Sequence, residues 1–376
     1  MRAITHSLLF IFLMLQFSCN PATKEIPGIF QAGFKTIRSS DPSRFYKPNT
    51  DTSDYLHYRP IDLDVWYPAQ TAPSDTTLLF GNILGLLEKR ANYYTASKSA
   101  AGFTQQLADY LCKGFKCSDP ARLLNYRTAS YQDAKPAGGK FPLIIYLCSY
   151  NGMGYENFSL FEDLAKKGFW VISINSIGRY PGDMTMRNGD LMEQVNDALF
   201  SYKIIASSPE VDVSKVGIVG YSWGGLTAAV LAEKIPGTAC LVSLDGSEFH
   251  HYGQVHEEDL DFNGIVNNPE FKDHALSMPY LRLESSSAET NQKEDSLYNF
   301  AEKLSGKKLI LSVDSAAHED FGCLSAVVNI SGGCMNNHKY EGIAALTENY
   351  LEDHLKGTNI FPPLLKQQLN KTIKEK

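Results

Sequence analysis

The chain has 376 residues, of which 43% are hydrophobic and 20% are charged, and its formal net charge is −7 at pH 7. This length and composition predict one large globular domain with insertions, or one domain with a small appendage. The basic residues are scattered, which disfavours a nucleic-acid partner because binding to phosphates needs a positive field.

The first twenty residues have the layout of a bacterial export signal. Arg2 precedes an apolar run over residues 8–15, which is shorter than the roughly 20 residues of a membrane-spanning helix. Ser18 then precedes Cys19, as at the end of a lipoprotein signal, where the cysteine is lipidated and becomes the first residue. We therefore expect a lipoprotein attached to a membrane through Cys19, in the periplasm or at the outer membrane. Plain secretion is the alternative.

The first strand and helix signals lie before residue 140. Residues 61–68 (IDLDVWYP) alternate between apolar and polar and end in proline, which is typical of an edge strand. Residues 72–138 contain two helical patterns, which we interpret as an insertion that forms a lid or cleft wall. The alternative is that the insertion packs as additional core. Its apolar side chains are Leu78, Leu79, Phe80, Ile83, Leu84, Leu86 and Leu87.

Strand and helix signals alternate from residue 141 onward. FPLIIYLCSY (141–150) is a nearly continuous apolar run, as expected for a strand buried on both faces. Repeated strand–helix units of this size predict a mostly parallel sheet with helices on both faces. Further strands are predicted over 169–175, 216–220, 239–245, 278–284 and 307–314, and helices over 156–168, 188–208, 292–304 and 339–356.

The same signals predict the domain organisation. We expect a signal peptide over 1–18, a tether over 19–28, a single domain over 29–365 and a polar tail over 366–376. The insertion at about 72–138 lies inside the single domain. No internal repeat or low-complexity tract divides the chain further.

The stretch VGIVGYSWGG carries the strongest catalytic signal. GYSWG (220–224) matches G-x-S-x-G, with a predicted strand before it and a small-residue helix after it. Glycine at both ends of the motif lets the strand and the helix approach without a Cβ clash, and Gly225 lets the helix lie close to the sheet. The turn then exposes one hydroxyl, so we expect Ser222 to be a nucleophile.

A serine nucleophile needs a histidine base and an acid that orients the base. His318 follows the last predicted strand in a small-residue loop, where the chain order serine, acid, histidine places the base. Asp245 and Glu284 each close a predicted strand between the serine and the histidine. We favour Asp245, which a glycine follows, and keep Glu284 as the alternative. Asp314 is too near His318 in sequence for the required reach.

These motifs resemble those of the platelet-activating factor acetylhydrolases and, more widely, of dienelactone-hydrolase-like enzymes. The likeness runs from about residue 60 to 325 and implies an α/β-hydrolase fold, here with a helical insertion. The chain departs from the family where Cys148-Ser149 stands in place of His-Gly, and where Tyr221 stands in place of histidine. The resemblance rests on DVWYPA, KFPLIIYLCSYNG, DLAKKGFWVISIN, VSKVGIVGYSWGG, CLVSLDG and LILSVDSAAHEDF.

The resemblance implies specific roles for several residues. It supports Ser222, Asp245 and His318 as a catalytic triad, and it implies that the backbone N–H groups of Tyr150 and Trp223 form the oxyanion hole. In the family a short acyl group occupies a small pocket, while the rest of the ester lies along an apolar cleft. Here the bulky side chains of Tyr150, Trp223 and Phe321 are the expected walls, with Phe321 binding substrate.

We therefore predict a serine hydrolase that cleaves carboxylic esters with short acyl groups, including acetyl esters of lipid-like molecules, through an acyl-enzyme. The expected partner is a small-molecule ester, and no cofactor is expected. One alternative is a non-catalytic binding protein on a hydrolase fold. Another is a carbohydrate deacetylase or peptidase that uses the same triad, because the fold does not determine the substrate.

The predicted export would place the cysteines in an oxidising environment, which permits disulfides. Six cysteines follow Cys19, and none has the spacing of a metal site, so no metal is expected. Those in loop-like surroundings are predicted to pair locally, and those in apolar strands are predicted to be buried thiols. The predicted disulfides are Cys112–Cys117 and Cys323–Cys334, and the predicted thiols are Cys148 and Cys240.

Overall fold

The computed structural model describes residues 30–95, 102–115, 119–178, 184–249, 259–270, 276–286, 304–332 and 338–376. Within these ranges twelve strands form one sheet: β1 Gln31–Phe45, β2 Tyr58–Gln70, β3 Thr77–Leu79, β4 Arg127–Gln132, β5 Lys135–Pro136, β6 Phe141–Leu147, β7 Trp170–Ile174, β8 Val211–Tyr221, β9 Thr238–Leu244, β10 Tyr280–Ser285, β11 Lys308–Val313 and β12 Ile373–Glu375. The α-helices in these ranges are α1 Phe80–Thr95, α2 Phe103–Gly114, α3 Pro120–Leu124, α4 Phe158–Lys166, α5 Asn188–Ile205, α6 Trp223–Ala232, α7 Phe262–Val266, α8 Leu324–Gly332, α9 His338–Lys356 and α10 Phe361–Gln368.

The centre of the sheet is parallel. The strand order is β12-β11-β10-β9-β8-β6-β7-β2-β1-β4-β3, with β5 paired to β2, and every neighbouring pair from β7 to β11 runs parallel. Such strands end at the same edge of a sheet, so the loops after β6, β8, β9, β10 and β11 meet there. The prediction of a mostly parallel sheet is confirmed.

Helices cover both faces of this sheet, as predicted. On one face α5 and α6 pack against β6, β7 and β8, and their buried apolar side chains include Leu191, Val195 and Leu226. On the other face α4 and α9 pack against the sheet through residues such as Phe161 and Leu351. Each large apolar side chain buried in this way stabilises the fold by roughly 1.5–3 kcal/mol.

Strand β2 differs from the edge strand predicted over 61–68. It lies inside the sheet, antiparallel to both β1 and β7, and most of it is buried. Its alternating carboxylates are buried in ion pairs instead of facing solvent: Arg90 lies 2.7 Å from Asp64 and 3.5 Å from Asp62. A buried charge is tolerated when it is paired, so the alternating carboxylates of β2 are compatible with a strand in the interior of the sheet.

Part of the insertion packs as additional core, and its role as a lid or cleft wall stays a prediction. Phe80, Ile83 and Leu84 of α1 are at most 2% exposed and belong to the same apolar cluster as the sheet. Strand β4 pairs in parallel with β1, so the insertion also widens the sheet. The outer surface of α2 lies next to the turn that contains His318, as described below.

The C-terminal region adds a strand that the sequence did not indicate. Within the polar segment 366–376, β12 pairs antiparallel with β11. Helix α9 agrees with the helix predicted over 339–356. The helix predicted over 292–304 lies almost entirely outside the described residues, as do the signal peptide and Cys19. Within the described part of the chain, no helix is long and apolar enough to cross a membrane.

The cysteine predictions are partly wrong. Cys148 and Cys240 are buried thiols, as predicted. Cys323 is also a buried thiol, and both Cys112 and Cys323 pack into the apolar core, whereas the disulfide prediction placed them in loops. Cys323 directs its Sγ toward the backbone oxygen of Tyr155 at 3.7 Å. The other members of the predicted pairs, Cys117 and Cys334, lie outside the described residues.

Candidate active site

Ser222 occupies a strained turn between β8 and α6. Its φ of 56° and ψ of −127° are sparsely populated for a residue with a side chain, and such strain is typical of functional sites. Three backbone hydrogen bonds hold the residue there. Its N–H donates to Leu244 O at 3.1 Å, and its carbonyl accepts from Gly225 N at 2.9 Å and from Ser247 N at 3.1 Å. The backbone therefore fixes the direction of the hydroxyl.

The glycines around the serine permit close packing, as the sequence predicted. A Cβ at Gly220 would overlap the carbonyl oxygen of Gly224, and a Cβ at Gly224 would overlap the carbonyl oxygen of Leu147 at the end of β6. A Cβ at Gly225 would lie 2.7 Å from Gly246 Cα in the loop after β9. Larger residues would push the turn away from both neighbouring strands.

The structure brings Ser222, His318 and Asp245 together in a hydrogen-bonded chain. His318 Nε2 lies 3.0 Å from Ser222 Oγ, and His318 Nδ1 lies 2.7 Å from Asp245 Oδ2. The aspartate side chain is 6% exposed and the histidine side chain is 36% exposed. A buried acid, an accessible base and a hydroxyl in this order form the geometry of an activated nucleophile.

Asp245 is held at the end of β9 by several groups. Its second carboxylate oxygen accepts a hydrogen bond from Ser285 N at 2.7 Å. Burial acts to raise the pKa of Asp245, but the hydrogen bond and charge of His318, together with the charge of Arg282, hold the pKa below its ordinary value. Asp245 therefore stays ionised in the range where a histidine works as a base.

Glu284, the alternative acid, has different partners. Its Oε2 accepts from Arg282 Nε at 3.0 Å, and its Oε1 pairs with Lys376. Arg282 is fully buried and donates to Gly246 O at 2.8 Å, beside Asp245. Glu284 thus anchors the arginine that supports the aspartate loop, and the favoured choice of Asp245 agrees with the observed contacts.

Tyr221 fixes the imidazole from a second side. Its ring stacks on that of His318 with centroids 5.1 Å apart and planes inclined by 26°. Its hydroxyl donates to His318 O at 3.1 Å. Burial raises the pKa of Tyr221 well above its usual range, so the hydroxyl keeps its proton and acts as a donor. Tyr221 therefore holds the ring and the backbone of His318 in place.

Residues 149–154, named the oxyanion loop for the role expected of the Tyr150 N–H, lie beside the start of α6. The close contact of Gly224 with Leu147 brings the N-terminus of α6 against the end of β6, where this loop begins. The first N–H groups of a helix have no partner within the helix, which leaves that of Trp223 available. Asn151 has a φ of 53°, which turns the loop sharply after Tyr150.

Two of the three side chains that were expected to line the cleft are buried in the cores instead. Phe321 is 0% exposed and Trp223 is 1% exposed, and both side chains pack in the apolar cores. Neither side chain can touch a substrate without leaving the core, so Phe321 is not a substrate-binding residue in this structure. Tyr150 is half-buried, and its hydroxyl donates to Met184 O at 2.8 Å, which holds the ring in place.

Sequence reasoning missed several buried charged residues, and two of them, Arg282 and Glu156, contact the loops of the site. Arg282 stands inside the apolar stretch MPYLRLE, where a charged residue is itself a signal of a buried ion pair. Glu156 lies in GMGYENF, where nothing in the pattern distinguishes it from a solvent-exposed glutamate. Within the described residues, no group of three or more His, Cys, Asp or Glu side chains has the arrangement of a metal site.

A serine on a strand–turn–helix element of a mostly parallel sheet, followed in the chain by an acid and a histidine, defines the α/β-hydrolase fold. Residues 200–320, which include Ser222, Asp245 and His318, match the family described as BAAT / Acyl-CoA thioester hydrolase C terminal. This match supports the broad class of ester and thioester hydrolases. The chain matches none of the curated proteins.

Solved structures share the fold at low sequence identity. The chain is similar to a ferulic acid esterase from Streptomyces cinnamoneus, with a TM-score of 0.60 and 18% identity over 95% of this chain and 98% of that one. DcsB, solved in complex with its substrate analogue, matches with a TM-score of 0.40 and 15% identity over 58% of this chain and 91% of that one. The esterase likeness establishes the α/β-hydrolase fold.

Proposed function

We propose that this protein is a serine esterase that cleaves short-acyl carboxylic esters through an acyl-enzyme. The observation that carries the proposal is the continuous hydrogen-bonded chain from Ser222 Oγ to His318 and on to Asp245, with 3.0 Å and 2.7 Å between the bonded atoms. The chain starts at a serine held in a strained turn, where its hydroxyl can approach a carbonyl carbon.

In the proposed mechanism, Ser222 Oγ attacks the ester carbonyl while His318 Nε2 accepts its proton. Asp245 stabilises the resulting imidazolium and keeps its Nδ1–H oriented. The N–H groups of Trp223 and Tyr150 stabilise the oxyanion. His318 then returns the proton to the leaving oxygen, the alcohol departs, and water releases the acyl group by the same steps in reverse.

An open groove of about 690 Å³, lined in part by the two residues that follow His318 in the chain, supports an apolar leaving group. It lies between α2 and the turn that begins at His318. Apolar and aromatic side chains make up most of its lining, and the carboxylates of Glu319 and Asp320 lie along one side. The lining residues are Leu107, Tyr110, Leu111, Gly114, Phe115, Tyr155, Glu319, Asp320, Leu324 and Ser325.

Hydrolysis of acyl thioesters is the second candidate, favoured by the family match over residues 200–320. A coenzyme-A leaving group carries several phosphates and would need basic side chains near the histidine. Of the two carboxylates there, Asp320 is paired with Lys339 at 3.5 Å, while Glu319 and the net charge of −7 disfavour a polyanionic leaving group. These charges favour a neutral oxoester over a coenzyme-A thioester.

A matched substrate series tests the proposal. We expect kcat/KM to be highest for acetyl to butyryl p-nitrophenyl esters and to decline in steps with longer chains, because one methylene changes transition-state binding by only about 1–3 kcal/mol. The same acyl groups presented as coenzyme-A thioesters should react more slowly than the oxoesters. Faster turnover of the coenzyme-A substrates would select the thioesterase, and a maximum at long acyl chains would exclude a small acyl pocket.

We further propose that residues 1–18 are a signal peptide and that Cys19 carries the lipid. In a bacterial host, the wild-type protein should fractionate with membranes and incorporate radiolabelled palmitate. Cys19→Ala should lose the label, because the variant lacks the thiol through which the lipid is expected to be attached. Cys240→Ala, which alters a buried thiol, serves as the control. Equal labelling of Cys19→Ala and wild type would contradict lipidation at this position.

A further inference from the structure

We propose that Glu156 is a positioning residue that holds the oxyanion loop in its reactive shape through Ser149. The inference rests on the proposed function, since it concerns the same hydrolytic step. Glu156 ends the 3₁₀ turn Gly154–Glu156, directly after the loop, and is only 4% exposed. The hydrogen-bonded chain of the triad does not include this carboxyl group.

The carboxylate of Glu156 binds Ser149 at two atoms. Oε1 accepts from Ser149 N at 2.9 Å, and Oε2 accepts from Ser149 Oγ at 2.5 Å. A third donor, Tyr146 OH, lies 3.2 Å from Oε1. Two bonds to one residue fix its backbone, and with it the next peptide group, which carries the N–H of Tyr150. Glu156 therefore acts on the oxyanion through the loop without touching the substrate.

The same segment also connects this loop to the histidine. Glu156 O accepts from Cys323 N at 2.8 Å, and Asn157 Nδ2 donates to Phe321 O at 3.0 Å. Cys323 N and Phe321 O both belong to the segment that follows His318. The segment 156–157 thus sets the oxyanion loop and the base relative to each other, which a transition-state geometry requires.

The carboxyl group is costly to bury, which supports a role beyond folding. Burial raises the pKa of Glu156 to about 7, despite the hydrogen bonds from Ser149 that lower it. The titratable groups that face it have pKa values raised by burial, so they are neutral at pH 7 and supply no positive charge. These groups are Tyr146, Cys148, Tyr155, Tyr221 and Cys323.

Glu162 offers a control with nearly the same chemistry. Its Oε1 accepts from Ala129 N at 2.9 Å and from Ser130 Oγ at 2.5 Å, and burial raises its pKa to about 7. It lies on α4 and holds β4, away from the oxyanion loop. Both glutamates therefore accept hydrogen bonds from a backbone N–H and a serine hydroxyl, but only Glu156 bonds to the oxyanion loop.

The experiment compares two double-mutant cycles on a short-acyl ester: Ser149→Ala with Glu156→Gln, and Ser130→Ala with Glu162→Gln. Glu156→Gln should lower kcat by roughly 10- to 100-fold, less than the roughly 10²–10³-fold cost of deleting an oxyanion donor outright. KM should stay within about threefold, and affinity for a boronic acid that mimics the tetrahedral state should fall with kcat. Ser149→Ala should give a smaller loss and be non-additive with Glu156→Gln.

The control cycle should change thermal stability while leaving kcat within about twofold. Equal kcat values for Glu156→Gln and Glu162→Gln would overturn the proposal, as would a rise in KM with kcat unchanged. If Glu156→Gln does not fold, Ser149→Ala alone decides, because it removes one hydrogen bond at a half-buried side chain. A wild-type protein that hydrolyses no ester would instead refute the proposed function, so the two failures are distinguishable.

Discussion

Replacing either Ser222 or His318 by alanine is expected to lower ester hydrolysis by roughly 10⁴- to 10⁶-fold while leaving the fold intact. The two side chains act as a unit across the 3.0 Å contact between Oγ and Nε2, so loss of one removes most of what both contribute. The double variant should therefore be no slower than the single variants. Initial rates on p-nitrophenyl acetate measure the effect, and circular dichroism with thermal melting checks the fold.

Controls and a covalent probe make this result specific. Ser207 and His338 are exposed and lie outside the hydrogen-bonded chain, so their alanine variants should keep wild-type rates. A fluorophosphonate should label the wild-type protein at a single site, and Ser222→Ala should not be labelled. Rapid hydrolysis by Ser222→Ala would reject the nucleophile. A wild-type protein that neither reacts with the probe nor turns over esters would favour the binding-protein alternative.

Sequence reasoning found the reacting residues because their signals are local. The motif around Ser222 combines a strand, a strained turn and a helix within a few residues, and each part has its own sequence pattern. Asp245 directly follows β9 and His318 lies in the loop after β11, and parallel strands end at the same edge. Alternation and chain order were thus sufficient to bring together residues that are far apart in sequence.

What the sequence could not predict depends on contacts between distant segments. Strand β1 and strand β12 exist as parts of the sheet because β2 and β11 pair with them, and neither has a strong pattern of its own. Phe321 appeared to be a cleft wall because it follows the base. In the structure it ends the 3₁₀ turn that begins at His318, and its side chain is buried in the core.

Buried charges were the least predictable feature. Glu156 looks like a surface residue by its sequence context, and for Arg282 and Glu284 only the three-dimensional structure reveals the partners. Such groups are costly to bury, so their placement is worth examining for function. Around this site they bond to the loops that carry the site residues: Arg282 donates to Gly246 O, next to Asp245, and Glu156 accepts from Ser149 in the oxyanion loop.

The two carboxylates that close β9 and β10 allow the acid to be assigned experimentally. Asp245→Asn should lower kcat by roughly 10³- to 10⁴-fold, because an amide neither stabilises the imidazolium nor enforces the correct tautomer of His318. Glu284→Gln should lower kcat by less than about tenfold. Its main effect should be on stability, roughly 1–3 kcal/mol, since Arg282 keeps its bond to Gly246 O and its contact with Glu248 at 3.3 Å.

Side-by-side kinetics and denaturant unfolding of Asp245→Asn and Glu284→Gln separate the two roles. The pKa of Asp245 is lowered in the folded protein, so its ionised form stabilises the fold above the unfolded-state pKa, and this stabilisation is lost as the pH falls through the folded-state value. The free energy of unfolding of Asp245→Asn should therefore decrease less than that of the wild type as the pH falls. The variant should also lose activity. Glu284→Gln should keep that decline. A larger loss of kcat in Glu284→Gln than in Asp245→Asn would move the acid to β10, and the 2.7 Å contact between Asp245 and His318 would then be structural only.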